Sequence, residues 1–488
     1  MTAAGGTGRT VLELPNGRRG EVAVVGLGAS GRAAAELLRM HGHAVYASDA
    51  GASPRALEAA AALSALGATA ETGGHDLARI SRAACVVVSP GVPPEAPPLA
   101  AARAASVPIV GELEVALGAL PKLRYIAVTG TNGKTTTTAL VGHLLRSLGH
   151  DAPDAGNIGT PLAALALREV PPAWVALEMS SFQLHDTPSV RPTVGVVTNL
   201  SPDHLDRYPD VGTYYADKAR LFANAAPTSQ WVLNADDADV LALHRRLPTD
   251  APSHTALRGT SHAFSVADGE RHRPPEVVPQ AHYDRGAGQL VVLGQPLVAR
   301  ADFPLVGDHN VANALAAALA VMVADPAHAT PEARRTIADA LRRFAALPHR
   351  LEPVGTFHGV AWINDSKATN VASTQVALAG MTKPTIVLLG GRHKGDPYTS
   401  LAPDLERCAK VVLAYGEAAP IVEQDLAGRV PVERLGSSFD EVIRRARALA
   451  VSGDVVLLSP ACSSYDMFPN YEVRGATFRR LAAEGSAA

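Results

Sequence analysis

Tyr125-Ile126-Ala127-Val128-Thr129-Gly130-Thr131-Asn132-Gly133-Lys134-Thr135-Thr136 is the stretch on which the fold of this 488-residue chain turns. The apolar run at 125–128 predicts a strand, the two glycines a tight turn, and the residues from Lys134 onward a helix. The backbone amides of such a loop, the Lys134 ammonium and the Thr135 hydroxyl meet the needs of a triphosphate and its Mg²⁺. The candidate phosphate contacts are therefore Gly130, Thr131, Asn132, Gly133, Lys134, Thr135 and Thr136. The general phosphate-loop pattern has a glycine where this chain has Val128.

Outward from this loop, residues 175–177 and 194–198 are strand-like, and the block they share runs to the Pro348 region. Within it, residues 254–306 carry short strand-like runs, Pro and Gly with little helical periodicity, so a small β-rich excursion is expected there. On the N-terminal side, β-branched runs at 22–25, 44–48 and 86–89 alternate with Ala-rich amphipathic stretches such as 33–39, which predicts βαβ units on a parallel sheet. Beyond Pro348, residues 360–363, 385–389, 410–414 and 455–458 alternate with helical stretches, predicting a second doubly wound sheet. The expected architecture is thus α/β, with a loose tail at 1–20 and three domains at 21–121, 122–347 and 348–488. The outer two are Rossmann-like and the central one is a P-loop-type domain. Ligands of such sheets bind at the carboxyl ends of the strands, and nearly every motif below follows one of these runs.

Composition narrows the function. Hydrophobic residues make up 47% and charged residues 19%, enough apolar surface for a core without disulfide or metal staples. A net charge of -3 provides no overall field for a nucleic-acid backbone or an anionic membrane, so small-molecule partners are expected. Cys85, Cys408 and Cys462 are widely spaced with no CxxC pair, which argues against a zinc site or a disulfide framework and fits a reducing cytoplasm. Residues 1–20 lack a signal-peptide core, and no stretch approaches the length of a membrane span.

Gly26-Leu27-Gly28-Ala29-Ser30-Gly31 follows a strand and opens a helix, the setting in which GxGxxG brings backbone to a phosphate. Asp49 ends the next strand at a spacing suited to a ribose or base. In isolation the pair reads as an NAD-dependent enzyme or as glycines that merely pack a helix on a strand. Leu177-Glu178-Met179-Ser180-Ser181-Phe182-Gln183-Leu184 places Glu178 at a strand end, within reach of a metal held by Thr135, although a lone Glu is usually a solvated surface group. In Thr198-Asn199-Leu200-Ser201-Pro202-Asp203-His204-Leu205-Asp206-Arg207-Tyr208, His204 stands between two acids; with seventeen histidines in the chain, most are structural.

Lys218, in Tyr214-Tyr215-Ala216-Asp217-Lys218-Ala219-Arg220, would ordinarily be an exposed lysine. Beside Mg²⁺ its ammonium would be repelled by about 4 kcal/mol at 4 Å and effective dielectric 20, whereas a carbamate formed with CO₂ reverses the sign. Asn310 and Asn313 share a helix face, where they either cap and pack or read an adenine. His349 and Arg350 in Leu347-Pro348-His349-Arg350, and the acid, lysine and hydroxyls of Asn364-Asp365-Ser366-Lys367-Ala368-Thr369-Asn370, suit a phosphorylated or carboxylated ligand. Gly390-Gly391-Arg392-His393-Lys394-Gly395 and Ser459-Pro460-Ala461-Cys462-Ser463-Ser464-Tyr465-Asp466 have the same anion-binding character. Cys462 reads as a small buried hydrophobe, because no neighbouring His activates it.

In order, GLGASG, TGTNGKTT, LEMSSFQL, NLSPDHLDRY, YADKARLF, GDHNVANALAA, LPHR, NDSKATN, GGRHKG and SPACSSYDMF resemble the Mur ligase family over nearly the whole chain, and SSFQL, NDSKATN and SPACSSYDMF its D-glutamate-adding branch. The resemblance implies a UDP-binding N-terminal domain, a central ATPase and a C-terminal domain for the amino acid. It implies a monomer in cytoplasmic peptidoglycan precursor synthesis that joins D-glutamate to UDP-N-acetylmuramoyl-L-alanine through an acyl phosphate, at the expense of ATP. Its implied ATP contacts are the loop from Gly130 to Thr136 with Asn310, Asn313, Arg350 and Asp365. One Mg²⁺ falls to Thr135 and Glu178, and a second to His204 and carbamylated Lys218. Gly28, Ala29, Ser30, Asp49, Asn157 and His204 would meet the UDP precursor; the dinucleotide-like fingerprint then serves UDP. His349, Lys367, Thr369, Lys394, Ser464 and Tyr471 would hold the amino acid. Lys134, Glu178, His204, Lys218 and Lys367 carry the catalytic roles.

Overall fold

A computed structural model of the chain describes residues 13, 17–203, 207–249, 251, 257–267 and 277–484. Most of the expected tail, and His204, lie outside the described residues. The first sheet comprises β1 (Val22–Val25), β2 (Val45–Asp49), β3 (Thr69–Thr72), β4 (Cys85–Val88) and β5 (Ile109–Gly111), in the order β3-β2-β1-β4-β5. All its pairings are parallel. β1 and β4 are buried throughout, which is why they are continuous Val, Ala and Cys rather than alternating. Strand order reverses at β1, so the ends of β1 and β4 flank the crevice where doubly wound sheets bind ligands.

The second sheet has nine strands: β6 (Arg124–Thr129), β7 (Asp154–Gly156), β8 (Trp174–Glu178), β9 (Val194–Val197), β10 (Gln230–Asn234), β11 (Thr260–Ser265), β12 (Ala281–Asp284), β13 (Gln289–Val292) and β14 (Gln295–Ala299). They run in the order β14-β13-β12-β11-β10-β9-β6-β8-β7, with β6 between β9 and β8. The β-rich excursion expected from the sequence continues this sheet: β11 pairs parallel to β10 and β12, and β13 and β14 add an antiparallel meander.

The third sheet comprises β15 (Glu352–Phe357), β16 (Val360–Asn364), β17 (Thr385–Gly390), β18 (Ala409–Tyr415), β19 (Val432–Arg434) and β20 (Val455–Leu458), ordered β15-β16-β20-β17-β18-β19. Only the β15–β16 pairing is antiparallel. Alternate residues of β17 feed two cores: Val387 and Leu389 pack with helix residues such as Leu405 and Val422, while Ile386 and Leu388 pack with Val442, Ile443 and Phe478. That period of two places helices on both faces, as the alternating pattern predicted.

The chain forms two compact units. Met1–Arg300 with Ala312–Arg342 carries the first two sheets, and Ala301–Val311 with Arg343–Ala488 carries the third. The first two sheets share a unit because one core joins their helices: Leu37, Leu38 and Leu113 cluster with Leu162 and Leu165, each with 5% or less of its surface exposed. Burial of this kind contributes roughly 1.5–3 kcal/mol per large aliphatic side chain. Among the described residues, no helix is long and apolar enough to cross a membrane.

Candidate functional site

β1 ends at the GLGASG turn, and the helix Ala29–Met40 starts directly after it. Gly31 permits the close crossing: a Cβ there would sit 1.8 Å from the Gly26 carbonyl oxygen. Asp49 accepts the Leu27 N–H at 2.7 Å and the Gly51 N–H at 2.8 Å, one on each carboxylate oxygen. Both oxygens thus brace the turn. A cleft of ≈ 710 Å³ opens here, and Gly28, Ala29, Ser30, Asp49 and Asn157 all line it. Sequence reading passed over Ser89 and Pro90, which also form its wall; the signal was available, since both follow the apolar strand β4.

The phosphate loop follows β6 and leads into the helix Lys134–Ser147. Gly133 adopts φ 80°, and a Cβ on it would meet the Asn313 side chain at 2.4 Å. Asn199 clamps the loop by accepting the Asn132 N–H at 2.9 Å and donating to its carbonyl at 2.9 Å; Thr198 Oγ1 donates to the same carbonyl at 2.6 Å. These two residues lie in the NLSPDHLDRY motif, where attention fell on the acids and histidine instead. Lys134 Nζ donates to the Gly130 and Thr131 carbonyls at 2.9 and 2.7 Å. Of the two amides left open between packing and adenine reading, Asn313 accepts from Thr137 Oγ1 at 3.1 Å, and Asn310 donates to the Val306 carbonyl at 2.8 Å. Both have packing partners, and both are buried.

Glu178 ends β8 beside the loop, 1% exposed, with Oε1 accepting from Asn157 Nδ2 at 2.8 Å and Oε2 buried without a hydrogen-bond partner among the described residues. A buried carboxylate oxygen with no donor is costly unless a cation completes it, so the donor set fits a divalent metal. Among the described residues no three His, Cys, Asp or Glu cluster as ligands, so a metal here would draw on Glu178, the Thr135 hydroxyl and bound phosphate. The helix that follows is capped by Ser180, whose side chain accepts the Gln183 N–H while Gln183 returns the bond to the Ser180 N–H.

Lys218, on the helix Val211–Ala219, is 1% exposed rather than the ordinary surface lysine. Its Nζ donates to the Gly130 carbonyl at 2.7 Å and lies 4.6 Å over the Tyr214 ring. Burial, reinforced by the nearby Lys134 ammonium, holds its pKa well below the usual lysine range against the pull of Asp203, Glu178 and Asp217. The uncharged amine is the form that can attack CO₂. Lys134, Lys218, Asn157 and Ser180 line one cavity of ≈ 250 Å³, with Pro90 and Asn157 shared with the larger cleft.

In the second unit, Asp365 accepts the Leu351 N–H at 3.2 Å and Ser459 Oγ–H at 2.9 Å, and burial pushes its pKa up to about 7. Lys367 Nζ donates to the Tyr471 hydroxyl at 2.9 Å and sits 4.6 Å from that ring. His349 adopts a left-handed φ of 63°, accepts from Asn364 Nδ2 at 3.0 Å, and stands edge-on to Tyr471 at 6.1 Å. Its carbonyl accepts the Lys367 N–H, which ties it to the turn closed by the Thr369 N–H donating to the Lys367 carbonyl. Ser464 is 3% exposed and Lys394 is at the surface. Sequence reading missed Arg474. Fully buried, it donates to Ser366 Oγ at 3.0 Å and to the Ser366 and Cys462 carbonyls at 2.8 and 3.1 Å, tying NDSKATN to SPACSSYD. An arginine on the apolar face of the helix Tyr471–Glu484 was the clue. Cys462 is buried against the Tyr398 hydroxyl at 2.9 Å with its thiol pushed up to about 11, which suits packing and not nucleophilic attack.

Fold and site together define a phosphate-loop α/β protein with a second ligand cleft beside its nucleotide-type loop. The chain matches the Mur ligase MurD-like N-terminal domain over residues 20–111, the Mur ligase middle domain over 128–321 and the Mur ligase glutamate ligase domain over 349–462. It belongs to the Mur ligase family. It is 42% identical to a UDP-N-acetylmuramoylalanine--D-glutamate ligase of Anaeromyxobacter dehalogenans, covering 97% of this chain and 99% of that one. The enzyme of the same name from Acidobacterium capsulatum is 39% identical, covering 96% and 97%. A pseudomurein peptide ligase type C from Methanothermus fervidus shares the fold, with a TM-score of 0.59 at 21% identity over 96% of this chain and all of that one.

Proposed function

We propose that this chain is an ATP-dependent ligase that joins the amine of D-glutamate to the alanyl carboxylate of UDP-N-acetylmuramoyl-L-alanine in peptidoglycan precursor synthesis, releasing ADP and phosphate. The observation that carries this reading is that Lys134 and Lys218, both bonded to the phosphate loop, line one cavity with Asn157, whose amide donates to the buried Glu178 carboxylate. Relatives 37–42% identical over nearly the whole chain, all named as D-glutamate ligases, support the choice of amino acid.

The acceptor carboxylate attacks the terminal phosphorus of ATP, the bond to ADP breaks, and an acyl phosphate forms. The amine of D-glutamate then attacks the acyl carbon; phosphate leaves with the C–O electron pair and the ammonium proton passes to solvent. Both reactants of the first step are anions, so cations must offset their repulsion and hold them in line. Lys134 and the loop from Gly130 to Thr136 cradle the phosphates, with Asn310, Asn313, Arg350 and Asp365 holding the rest of ATP. Thr135 and Glu178 would hold one Mg²⁺, and His204 with Lys218 as its carbamate would hold a second. Bound Mg²⁺ supplies neutralising charge to the phosphoryl oxygens. Gly28, Ala29, Ser30, Asp49 and Asn157 hold the UDP end, and His349, Lys367, Thr369, Lys394, Ser464 and Tyr471 the incoming amino acid. We read the enzyme as a cytoplasmic monomer, which sedimentation equilibrium and cell fractionation test.

With ¹⁸O in the acceptor carboxylate, labelled oxygen should pass into released phosphate, and D-glutamate should exceed L-glutamate and other amino acids in driving ADP release. Unlabelled phosphate would end the acyl-phosphate reading; a faster competitor amino acid would end the D-glutamate assignment. For the carbamate, activity should depend on bicarbonate and Lys218→Ala should regain turnover with short carboxylic acids. A response to neither removes that role.

A further inference from the structure

Lys218 needs a fixed position, yet it is the long, flexible side chain of a short helix. What fixes the helix is the residue before Lys218. Asp217 is 7% exposed, and a carboxylate that far from water is stable only when well partnered. Its partners come from separate segments. Oδ1 accepts from His185 Nδ1 at 2.8 Å and from Arg220 Nε at 3.2 Å, and Oδ2 accepts from the Tyr208 hydroxyl at 3.1 Å.

Each partner lies close in sequence to a proposed catalytic group. His185 ends the helix Ser181–His185, which begins three residues after Glu178. Tyr208 lies in the NLSPDHLDRY motif, four positions after His204. Arg220 directly follows the helix that carries Lys218. The Tyr208 ring stacks on Phe182 at 5.2 Å and 16°, and meets Tyr214 at 5.3 Å. Tyr214 in turn places its hydroxyl 3.3 Å from Thr131 of the phosphate loop and its ring under Lys218 Nζ. Asp217 itself does not line the cavity that Lys134 and Lys218 share.

We infer that Asp217 is a positioning residue: it locks the segments of Glu178, Tyr208 and Lys218 into one register and thereby aims Lys218 at the phosphate loop. The inference rests on the ligase reading above, in which Lys218 as its carbamate would hold a Mg²⁺ beside the transferring phosphoryl group. A displaced reacting group weakens the chemical step more than it weakens ground-state binding, so the effect should fall on turnover.

The test uses the full chain with ATP, UDP-N-acetylmuramoyl-L-alanine and D-glutamate. Asp217→Ala should lower kcat by about 10²-fold while KM for ATP and for the acceptor stays within about threefold, the loss expected from a misplacement near 1 Å. Asp217→Asn can still bridge His185 and Tyr208, so it should restore much of the lost turnover, and Tyr208→Phe should cost less than Asp217→Ala. A generally weakened fold would not produce that split with conservative rescue. Wild-type kcat in Asp217→Ala, or a loss carried by KM, overturns the inference. If thermal melting shows that Asp217→Ala does not fold, Asp217→Asn and Tyr208→Phe decide by the same split. A wild-type chain that makes no product from these substrates would instead sink the ligase reading, and this inference with it.

Discussion

Glu112 shows how far burial alone can move a residue. It opens the helix Glu112–Ala119, is 2% exposed, and accepts the Ala163 N–H; burial pushes its pKa up to about 7 from 4.5 despite that bond. Between those two values the folded chain binds more protons than the unfolded one, so this group's contribution to stability falls as pH rises through the window and is flat above it. Glu112→Gln keeps an acceptor for Ala163 and should flatten the window, raising stability at pH 8 by up to about 3 kcal/mol. Urea midpoints at pH 5 and pH 8 measure the effect; an unchanged gap between the two would show that Glu112 is not its source. At this scale the sequence disclosed identity but not state. Lys218 and Glu178 were legible as candidates from their motifs, whereas the buried amine and the partnerless oxygen arise from groups distant in the chain. Asn199 and Arg474 were overlooked because an amide and an arginine carry no chemistry until their partners are known.

The βα crossing of β1 and the helix Ala29–Met40 is the element on which the larger cleft rests. A Cβ at Gly31 would lie 1.8 Å from the Gly26 carbonyl and 2.5 Å from Ser89 Oγ, and neither the backbone nor the cleft wall can yield without moving the turn. Gly31→Ala should therefore destabilise the fold by about 1–3 kcal/mol and raise KM for the UDP precursor more than KM for ATP. Chemical denaturation together with steady-state kinetics tests both; equal rises in the two KM values would dissociate the crossing from the cleft. Largely buried strands such as β1, β6, β9 and β17 could be read from their apolar runs. β7 and β19, three residues each, could not, because two or three side chains define no period. The 254–306 stretch was readable as β-rich, but its attachment was not: the β10–β11 pairing that joins it to the central sheet is a long-range choice.

The whole molecule carries one tryptophan in its second unit, Trp362, and two in its first, Trp174 and Trp231. Because each unit has its own core, unfolding should depart from a single cooperative transition. In Trp362→Phe, fluorescence reports the first unit alone, and its urea midpoint should differ from the one that circular dichroism gives for the entire chain. Coincident curves would mean the units unfold as one. What the sequence by itself determined is the α/β class, the three sheets and the phosphate loop. Each is encoded locally, as an apolar strand followed at once by its chemical residues, and local patterns survive without knowledge of partners. Only the tertiary structure decided that the first two sheets share a core, that Asp49 braces a turn, and that Lys218 is buried against the Gly130 carbonyl 88 positions away, with its pKa held well below the usual lysine range by that burial. Burial and hydrogen-bond partnership are properties of the packed chain, and they turn a list of reactive side chains into a site.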